Sequence, residues 1–293
     1  MAFHTDGALY FARTANRLRE IYGRDDASIY RFPPGPGNMT PATEKNFLFG
    51  PPIDDPDEVG VNAKGDVFVS SKSAGRGSVY RLESSKKSLF AGDNDLLKDP
   101  EGIAFDQSGN VYVVDHDLGV VVQLDATGRV LDPRWVLGIG RGRTLTFDSR
   151  GDLWIGSDGP HDTPHSDGSG RIFRFRPASR VLDLVHSGPL PSGMSFSPGG
   201  NLFVVQRRSH KLIALTPDGK RVEFASFTGK SALRTLAFAP VTEATKKLGI
   251  AGDLFVMVFP RLDYPVREVI RISGPFDAYV KEAAKGRAGS PAR

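Results

Sequence analysis

Two stretches of the chain carry nearly the same phrase, GIAFDQSGNVYVV at Gly102–Val114 and GMSFSPGGNLFVV at Gly193–Val205. Each phrase is an apolar run, a polar turn that contains glycine, and a second apolar run rich in Val and aromatic residues. Short runs of this kind on either side of a Gly-containing turn are typical of β-hairpins. The phrase is therefore a repeated hairpin, and its recurrence indicates a repeat architecture.

The second half of the phrase is a glycine, a small or polar residue, Val or Leu, and an aromatic residue. It occurs six times, at Gly7, Gly65, Gly109, Gly151, Gly200 and Gly252, with spacings of 58, 44, 42, 49 and 52 residues. This period is close to the ~40 to 50 residues of a propeller blade. Apolar segments before and after the copies predict three strands, A, B and C, in each unit. We therefore predict an all-β fold, a six-bladed β-propeller.

The predicted propeller is a single domain that extends from residue 1 to about residue 275. Its blades are expected at about 1–50, 51–98, 99–140, 141–190, 191–230 and 231–275. Only PFDAYVKEAAKG, at 275–286, has apolar residues three and four apart, which predicts a short C-terminal helix. The remaining residues, RAGSPAR, are expected to form a flexible tail.

Composition narrows the classes of function. The 293 residues include 38 Lys and Arg and 34 Asp and Glu, for a net charge of +4, without a run of five like charges. This pattern argues against a nucleic-acid-binding arm or a membrane-binding patch. The chain has no cysteine, which excludes disulfides and thiol chemistry. We expect a monomer with no nucleic-acid or membrane partner.

The chain begins inside a predicted strand, since residues 1–3 fall in strand A of blade 1. We expect the natural protein to be longer, with an export signal upstream. An extracytoplasmic location, periplasmic or secreted, is the favoured expectation.

Strand direction predicts where the chemistry lies. Strands A and B are antiparallel neighbours, so the start of A and the end of B share one face of the propeller. The B-to-C loops lie on this loop face, and loops on a rigid scaffold commonly carry function. These loops are expected at 13–27, 71–77, 115–119, 157–170, 206–211 and 259–268.

The innermost strands converge on the propeller axis, so the residues at the starts of these strands are expected to form a ring around it. Counting four residues back from the last apolar residue of strand A identifies Asp57, Glu101, Arg143, Ser192 and Arg234. In one hypothesis, the two acids only neutralise the two arginines. In the other, the arginines hold a carboxylate, a phosphate or an oxyanion, and the acids bind a cation or act as a general base.

Three histidines lie in the loop-face segments. His116 directly follows a central strand and is flanked by Asp115 and Asp117, which suits a catalytic or ligating role as well as a plain surface position. His161 and His165 lie in a loop that also contains Asp158, Asp162 and Asp167. Pro160 and Pro164 exclude a helical two-histidine zinc site, so this loop is either a looser metal site or a solvated insertion.

The segment QRRSHK at 206–211 adds a cluster of basic residues to the loop face. It contains Arg207, Arg208, His210 and Lys211. Such a cluster can bind phosphate or an acidic partner, and it can equally be an ordinary solvated loop.

The phrase PEGIAFDQSGNVYVVD at 100–115 resembles the NHL-repeat and regucalcin/gluconolactonase group of six-bladed propellers. In lactonases of that group, an acid and asparagines at the starts of the inner strands hold a divalent metal, often calcium, and a carboxylate acts on the lactone. The resemblance implies this role for Asp57 and Glu101. Ser192 stands where the family has Asn, and Arg143 and Arg234 replace neutral ligands.

Two further segments are similar to soluble quinoprotein sugar dehydrogenases, which use pyrroloquinoline quinone. The segments are SDGPHDTPHSDGSGRIFRF at 157–175 and AGDLFVMVFPRLDYPVREVIRI at 251–272. The resemblance implies that His161 or His165 is the base and that Arg143 and Arg234 face the carboxylates of the quinone.

These observations leave three hypotheses for function. The first is a gluconolactonase-like hydrolase with Glu101, Asp57 and His116 as catalytic residues and with Ca²⁺ or another divalent cation at Asp57 and Glu101. Its ligand contacts would be Arg143, Arg234, Ser192, His161, His165 and Arg207. The second is an NHL-type scaffold that binds a small molecule or a protein without catalysis, and the third is a quinone-dependent dehydrogenase.

Overall fold

The computed structural model describes residues 1–13, 28–33, 43–73, 75–92, 95–166, 168–227, 232–259 and 268–286. The described strands form six antiparallel sheets, each built from strands consecutive in the chain. The inner strands contact one another around the axis, and the first blade contacts the last. The prediction of an all-β, six-bladed propeller is confirmed. The described helices include none with the length and apolar character needed to cross a membrane.

The first three blades follow the order of the chain from the axis outwards. Blade 1 contains β1 (Ala2–Phe3), β2 (Leu9–Arg13) and β3 (Ser28–Phe32). Blade 2 contains β4 (Pro56–Val61), β5 (Val67–Ser73), β6 (Arg76–Leu82) and β7 (Lys87–Gly92). Blade 3 contains β8 (Pro100–Phe105), β9 (Val111–Asp115), β10 (Val120–Leu124) and β11 (Val130–Val136). A 3₁₀ helix, Glu44–Phe47, follows blade 1.

The other three blades repeat this arrangement. Blade 4 contains β12 (Gly142–Phe147), β13 (Leu153–Ser157), β14 (Gly170–Arg176) and β15 (Val181–Gly188). Blade 5 contains β16 (Pro191–Phe196), β17 (Leu202–Gln206), β18 (Lys211–Leu215) and β19 (Arg221–Ser226). Blade 6 contains β20 (Ala232–Phe238), β21 (Leu254–Phe259) and β22 (Glu268–Ile272). A short helix, α1 (Glu243–Lys247), lies between β20 and β21, and the predicted C-terminal helix is α2 (Phe276–Gly286).

Four blades have a fourth, outer strand that the sequence analysis did not predict. These strands are β7, β11, β15 and β19. Several of their apolar residues are exposed, including Leu89, Leu131 and Leu184. An outer strand with solvent on one side lacks the continuous apolar run of a buried strand, so its sequence carries a weaker signal. The tail at 287–293 lies outside the described residues.

The six repeated glycines lie in the connections between strands A and B, just before strand B. Their φ angles fall between +76° and +90°, a region that glycine adopts without steric cost. In the blade 3 hairpin, Asp106 accepts hydrogen bonds from the amides of Ser108 and Asn110, both at 2.9 Å. In blades 2 to 5 the turn begins with Asn62, Asp106, Asp148 or Ser197, whose side-chain oxygen accepts a hydrogen bond from the amide four residues later. Each of these turns also has a left-handed glycine before the second strand, so the phrase repeats.

A β-bulge interrupts the start of five of the six inner strands. The register shifts fall between Pro56 and Val59, Pro100 and Gly102, Gly142 and Thr144, Pro191 and Gly193, and Leu233 and Thr235. Each of the five predicted ring residues lies within one of these intervals. A bulge places an extra residue out of the pairing pattern and redirects its side chain. The bulges therefore place the ring residues at the loop-face end of the axis, which we call the mouth.

Neighbouring inner strands approach one another very closely beside this ring. A Cβ atom on Gly102 would lie 2.9 Å from Thr144 Cα and 3.0 Å from the Arg143 carbonyl oxygen. A Cβ atom on Gly193 would lie 2.8 Å from Thr235 Cα. Glycine is thus required where the blades meet, just after the ring.

We expect Gly102→Ala to lower the free energy of unfolding by about 2 kcal/mol, because the added methyl group must push back the backbone of blade 4. Urea denaturation measures the change. Gly168→Ala is the matched control, since a Cβ there meets nothing within 4 Å and φ is not in the left-handed region. Equal effects of the two substitutions would contradict the close packing of the inner strands.

Candidate functional site

A chain of ion pairs crosses the mouth from blade 3 to blade 5. Arg143 donates from Nη1 to both carboxylate oxygens of Glu101 at 2.9 Å and from Nε to Asp158 Oδ2 at 2.8 Å. Arg207 Nη2 donates to the same Asp158 oxygen at 3.1 Å. The pairing of Glu101 with Arg143 agrees with the hypothesis of mutual neutralisation. That hypothesis did not include Asp158, which lies between the two arginines.

Asp158 is the centre of this network. Its side chain is fully buried, and it follows β13 directly. Its Oδ1 atom has no hydrogen-bond partner in the described part of the chain. A buried carboxylate is tolerated only when it is paired, so Asp158 and the two arginines depend on one another.

Three donors on blade 5 also lack a partner among the described residues. They are Ser192 Oγ, Gln206 Nε2 and Arg207 Nε, all buried. Burial lowers the pKa of Arg207, and repulsion from Arg143 adds to this effect. Buried donors without acceptors are costly, so this side of the mouth favours an anionic or oxygen-rich group.

The opposite side of the mouth, on blades 2 and 3, is acidic. Ligand atoms of Asp57, Asp99 and Glu101 all lie within 4.8 Å of one another. Burial, together with repulsion from Glu101, raises the pKa of Asp57 to about 8. Burial also raises the pKa of Glu101, although the nearby Arg143 opposes the shift. Within the described residues, Asp57 has neither a hydrogen bond nor an ion pair through its carboxylate, so its charge is the least compensated of the three.

Lys72 neutralises part of this acidic group. Its Nζ lies 2.8 Å from Asp99 Oδ2 and 3.2 Å from Asp117 Oδ2. Asp99 and Lys72 were both missed by the sequence analysis. A usable signal was present, because Asp55-Pro56-Asp57 and Asp99-Pro100-Glu101 repeat the pattern Asp-Pro-acid at the same place in two blades.

His116 lies beside the acidic group. Its Nδ1 is 3.2 Å from Asp117 Oδ1 and 3.7 Å from Asp99 Oδ2. The loop is held in place by the fully buried Asp115, whose carboxylate accepts hydrogen bonds from backbone amides, including that of Asp99 at 2.9 Å and that of Leu118 at 2.8 Å. His116 and two of its acidic neighbours form a second cluster that could ligate a metal, and it shares Asp99 with the first.

The two histidines of the blade 4 loop have separate partners. His161 Nε2 lies 2.8 Å from the carbonyl oxygen of His116. His165 Nε2 lies 3.4 Å from both Asp158 Oδ2 and Arg207 Nη2. Burial lowers the pKa of His165, although Asp158 opposes the shift. Within the described residues neither histidine belongs to a metal-capable cluster, and Asp167 lies outside them.

Arg234 occupies the bulge of β20, as expected for a ring residue, and its side chain is exposed. Of the basic group around Arg207, Lys211 pairs with Glu223 at 2.8 Å. The loops at 14–27 and 260–267, which were predicted to border the mouth in blades 1 and 6, lie outside the described residues. The functional roles assigned to the ring residues and histidines from the sequence stay predictions.

Comparison with known proteins shows similarity in fold. No family model and no curated protein matches the chain, so the NHL and gluconolactonase resemblance is not confirmed. Selenomethionine-substituted virginiamycin B lyase from Staphylococcus aureus is 14% identical, covers 94% of this chain and 84% of its own, and has a TM-score of 0.56. A catalytically inactive variant of that lyase with quinupristin is 15% identical, and the match covers 75% of this chain and 71% of the lyase, with a TM-score of 0.52. A glucose dehydrogenase is 16% identical, and the match covers 85% of this chain and 93% of the dehydrogenase, with a TM-score of 0.56. Identities this low show the propeller fold alone.

Proposed function

We propose that the mouth is the active site of a gluconolactonase-like hydrolase that opens a small lactone with the help of a divalent cation. The observation that carries the proposal is the convergence of Asp57, Asp99 and Glu101 opposite a set of buried donors. An acidic side and a donor-rich side then face one small molecule at the end of the axis.

The acidic side fits a hard cation. Carboxylate oxygens are the ligands that Ca²⁺ and Mg²⁺ prefer, and water commonly completes the coordination. Lys72 and Arg143 already compensate Asp99 and Glu101, whereas Asp57 has no such partner among the described residues. A cation held by these three residues would supply Lewis-acid polarisation of the lactone carbonyl.

The surrounding residues would position the lactone and move the proton. Within the described residues, the Nη2 atom of Arg143 makes no hydrogen bond, so it can donate to an oxyanion while Glu101 and Asp158 hold the guanidinium in place. The donors of Ser192, Gln206 and Arg207 would orient the other oxygens of the substrate.

His116 is the proposed proton acceptor. Asp117 and Asp99 lie beside its Nδ1, which leaves Nε2 to take a proton from water. The resulting hydroxide adds to the lactone carbonyl carbon, and the ring C–O bond then breaks. The departing alkoxide takes the proton back from His116, so the products are a hydroxy acid and the regenerated site.

We expect Ca²⁺, Mn²⁺ or Zn²⁺ to raise the melting temperature of the protein relative to EDTA, because a ligand that binds only the folded state stabilises it. Asp57→Asn should remove the shift, and Asp183→Asn should keep it, since Asp183 pairs with Arg176 on outer strands of blade 4. Titration of released acid with a panel of aldonolactones then tests hydrolysis, which Asp57→Asn should reduce at least tenfold.

The alternatives give different results in the same assays. A dehydrogenase would reduce an electron-acceptor dye with aldoses after incubation with pyrroloquinoline quinone and Ca²⁺. A binding scaffold would show neither a cation response nor turnover. Absence of both a thermal shift and acid release contradicts the proposed hydrolase.

A further inference from the structure

Three buried donors that lack a partner in the described part of the chain belong to one end of blade 5. The Cα atoms of Pro191 and Gln206 are paired across β16 and β17, and Ser192 occupies the bulge that follows Pro191. Arg207 comes directly after Gln206, and its amide donates to the carbonyl oxygen of Leu190 at 2.9 Å. Ser192, Gln206 and Arg207 therefore share the loop-face end of one strand pair, which we call the blade 5 corner.

Gln206 is the most buried of the three residues, with an exposed fraction of 1%. Its Oε1 atom accepts a hydrogen bond from Ser209 Oγ at 3.1 Å. This bond orients the amide, because the oxygen faces Ser209 and Nε2 is left without an acceptor among the described residues. A buried amide nitrogen can only donate, so Nε2 requires an oxygen from a ligand or from solvent.

The corner has an excess of positive charge. Arg207 donates from Nη2 to Asp158 Oδ2, but Arg143 donates to the same oxygen. Arg207 thus shares one carboxylate with a second arginine, and its Nε has no acceptor in the described part of the chain. The exposed Arg208, next in the chain, adds a further charge that repels Arg207. One negative group at the corner would be stabilised.

A carboxylate matches these donors better than a hydroxyl or a phosphate does. Its two oxygens offer about four lone-pair sites in one plane, which suffices for the three donors of the corner. Its charge makes these hydrogen bonds stronger than those of a neutral hydroxyl group. A phosphate monoester carries close to two negative charges at pH 7, and the second would lie near the buried carboxylate of Asp158.

We propose that the blade 5 corner binds a carboxylate of the lactone, so that the molecule opened at the mouth is the monolactone of an aldaric acid rather than a neutral aldonolactone. The carboxylate would accept hydrogen bonds from Ser192, Gln206 and Arg207. The lactone carbonyl would lie at the other end of the chain of ion pairs, where Glu101 borders the cation site. The choice of lactone rests on the proposed hydrolase, whereas the carboxylate site does not require it.

Calorimetric titration with D-glucaro-1,4-lactone and D-glucono-1,4-lactone, in EDTA near pH 7 and at fixed ionic strength, tests this site. The two lactones have the same ring. They differ at the carbon farthest from the lactone carbonyl, which is a carboxylate in the first and a hydroxymethyl group in the second. We expect the glucarolactone to bind at least tenfold more tightly, because its carboxylate receives charge-assisted hydrogen bonds.

Variants of the corner should remove this preference. Gln206→Glu keeps the volume of the side chain and an acceptor for Ser209, but it replaces the Nε2 donor with a charged oxygen, so the preference should be lost. Ser192→Ala removes one donor and should reduce the preference at least threefold. Ser88→Ala is the matched control, since Ser88 is exposed on the outer strand β7, and it should keep the preference.

Equal binding of the two lactones to the unaltered protein would overturn the proposal. A preference unchanged in both Gln206→Glu and Ser192→Ala would also overturn it, because the carboxylate would then be bound elsewhere. If Gln206→Glu fails to fold, the comparison of the two lactones and the Ser192→Ala variant still decide the question.

Acid release in the presence of Ca²⁺ or Mn²⁺ is measured separately, so the two proposals can fail independently. Release of acid from both lactones, together with equal binding, would support the hydrolase and overturn the carboxylate site. Preferential binding of the glucarolactone without acid release from either lactone would contradict the hydrolase and support the carboxylate site.

Discussion

Replacing Asp158 by Asn is expected to lower the free energy of unfolding by about 3 kcal/mol, because a buried ion pair that loses one partner leaves uncompensated charge. Two arginines lose a carboxylate partner at once, since Arg143 and Arg207 both donate to Asp158 Oδ2, and within the described residues only Arg143 keeps another, Glu101. Urea denaturation near pH 7 measures the loss. The substitution keeps the volume of the side chain, so a cavity does not contribute.

Two further variants make this prediction specific. Glu101→Gln should cost only about 1 kcal/mol, because the amide oxygen still accepts a hydrogen bond and Arg143 keeps its bond to Asp158. Asp183→Asn, in an outer ion pair, should change stability by less than about 0.5 kcal/mol. A loss in Asp158→Asn no larger than that in Asp183→Asn would show that the network at the mouth is energetically unimportant.

Asp57→Asn is expected to stabilise the metal-free protein at alkaline pH by about 2 kcal/mol. Burial raises the pKa of Asp57 to about 8 in the folded state. The folded protein then binds more protons than the unfolded chain between about pH 4 and pH 8, so stability falls as pH rises through this range. Each pKa unit corresponds to about 1.4 kcal/mol, and partial solvent access reduces the total. Asn carries no charge and avoids the cost.

Denaturation in EDTA between about pH 4 and pH 9 measures this effect. The difference between Asp57→Asn and the unaltered protein should be small near pH 4, grow with pH, and level off above about pH 8. Asp117→Asn is a control of opposite sign. Burial favours the neutral form of Asp117, but hydrogen bonds with His116 and Lys72 hold its pKa below the usual value, so this variant should lose stability once Asp117 ionises. A difference for Asp57→Asn that does not change with pH would contradict the raised pKa.

The fold could be predicted because its signal is local. A turn with a left-handed glycine near its end, which in blades 2 to 5 also starts with Asn, Asp or Ser, is encoded within about five residues. Six such glycines with a blade-like period suffice to predict the architecture. The positions of Asp57, Glu101, Arg143, Ser192 and Arg234 were also predictable, because each lies four residues before the end of its inner strand. The outer strands were not, since their exposed residues have no continuous apolar run.

The partners within the site could not be predicted in the same way. Arg143 and Glu101 are 42 residues apart, and their contact depends on how blades 3 and 4 close around the axis. Asp158 looked like one acid of a loop, yet it is the buried link between two arginines.

Diffraction from crystals soaked in Mn²⁺, with anomalous scattering, tests the proposed cation site most directly. We expect one anomalous peak within coordination distance of Asp57, Asp99 and Glu101, and its absence in crystals of Asp57→Asn. A mouth that contains only water would contradict the proposed site, and so would a peak held by His116 and Asp117 without Asp57.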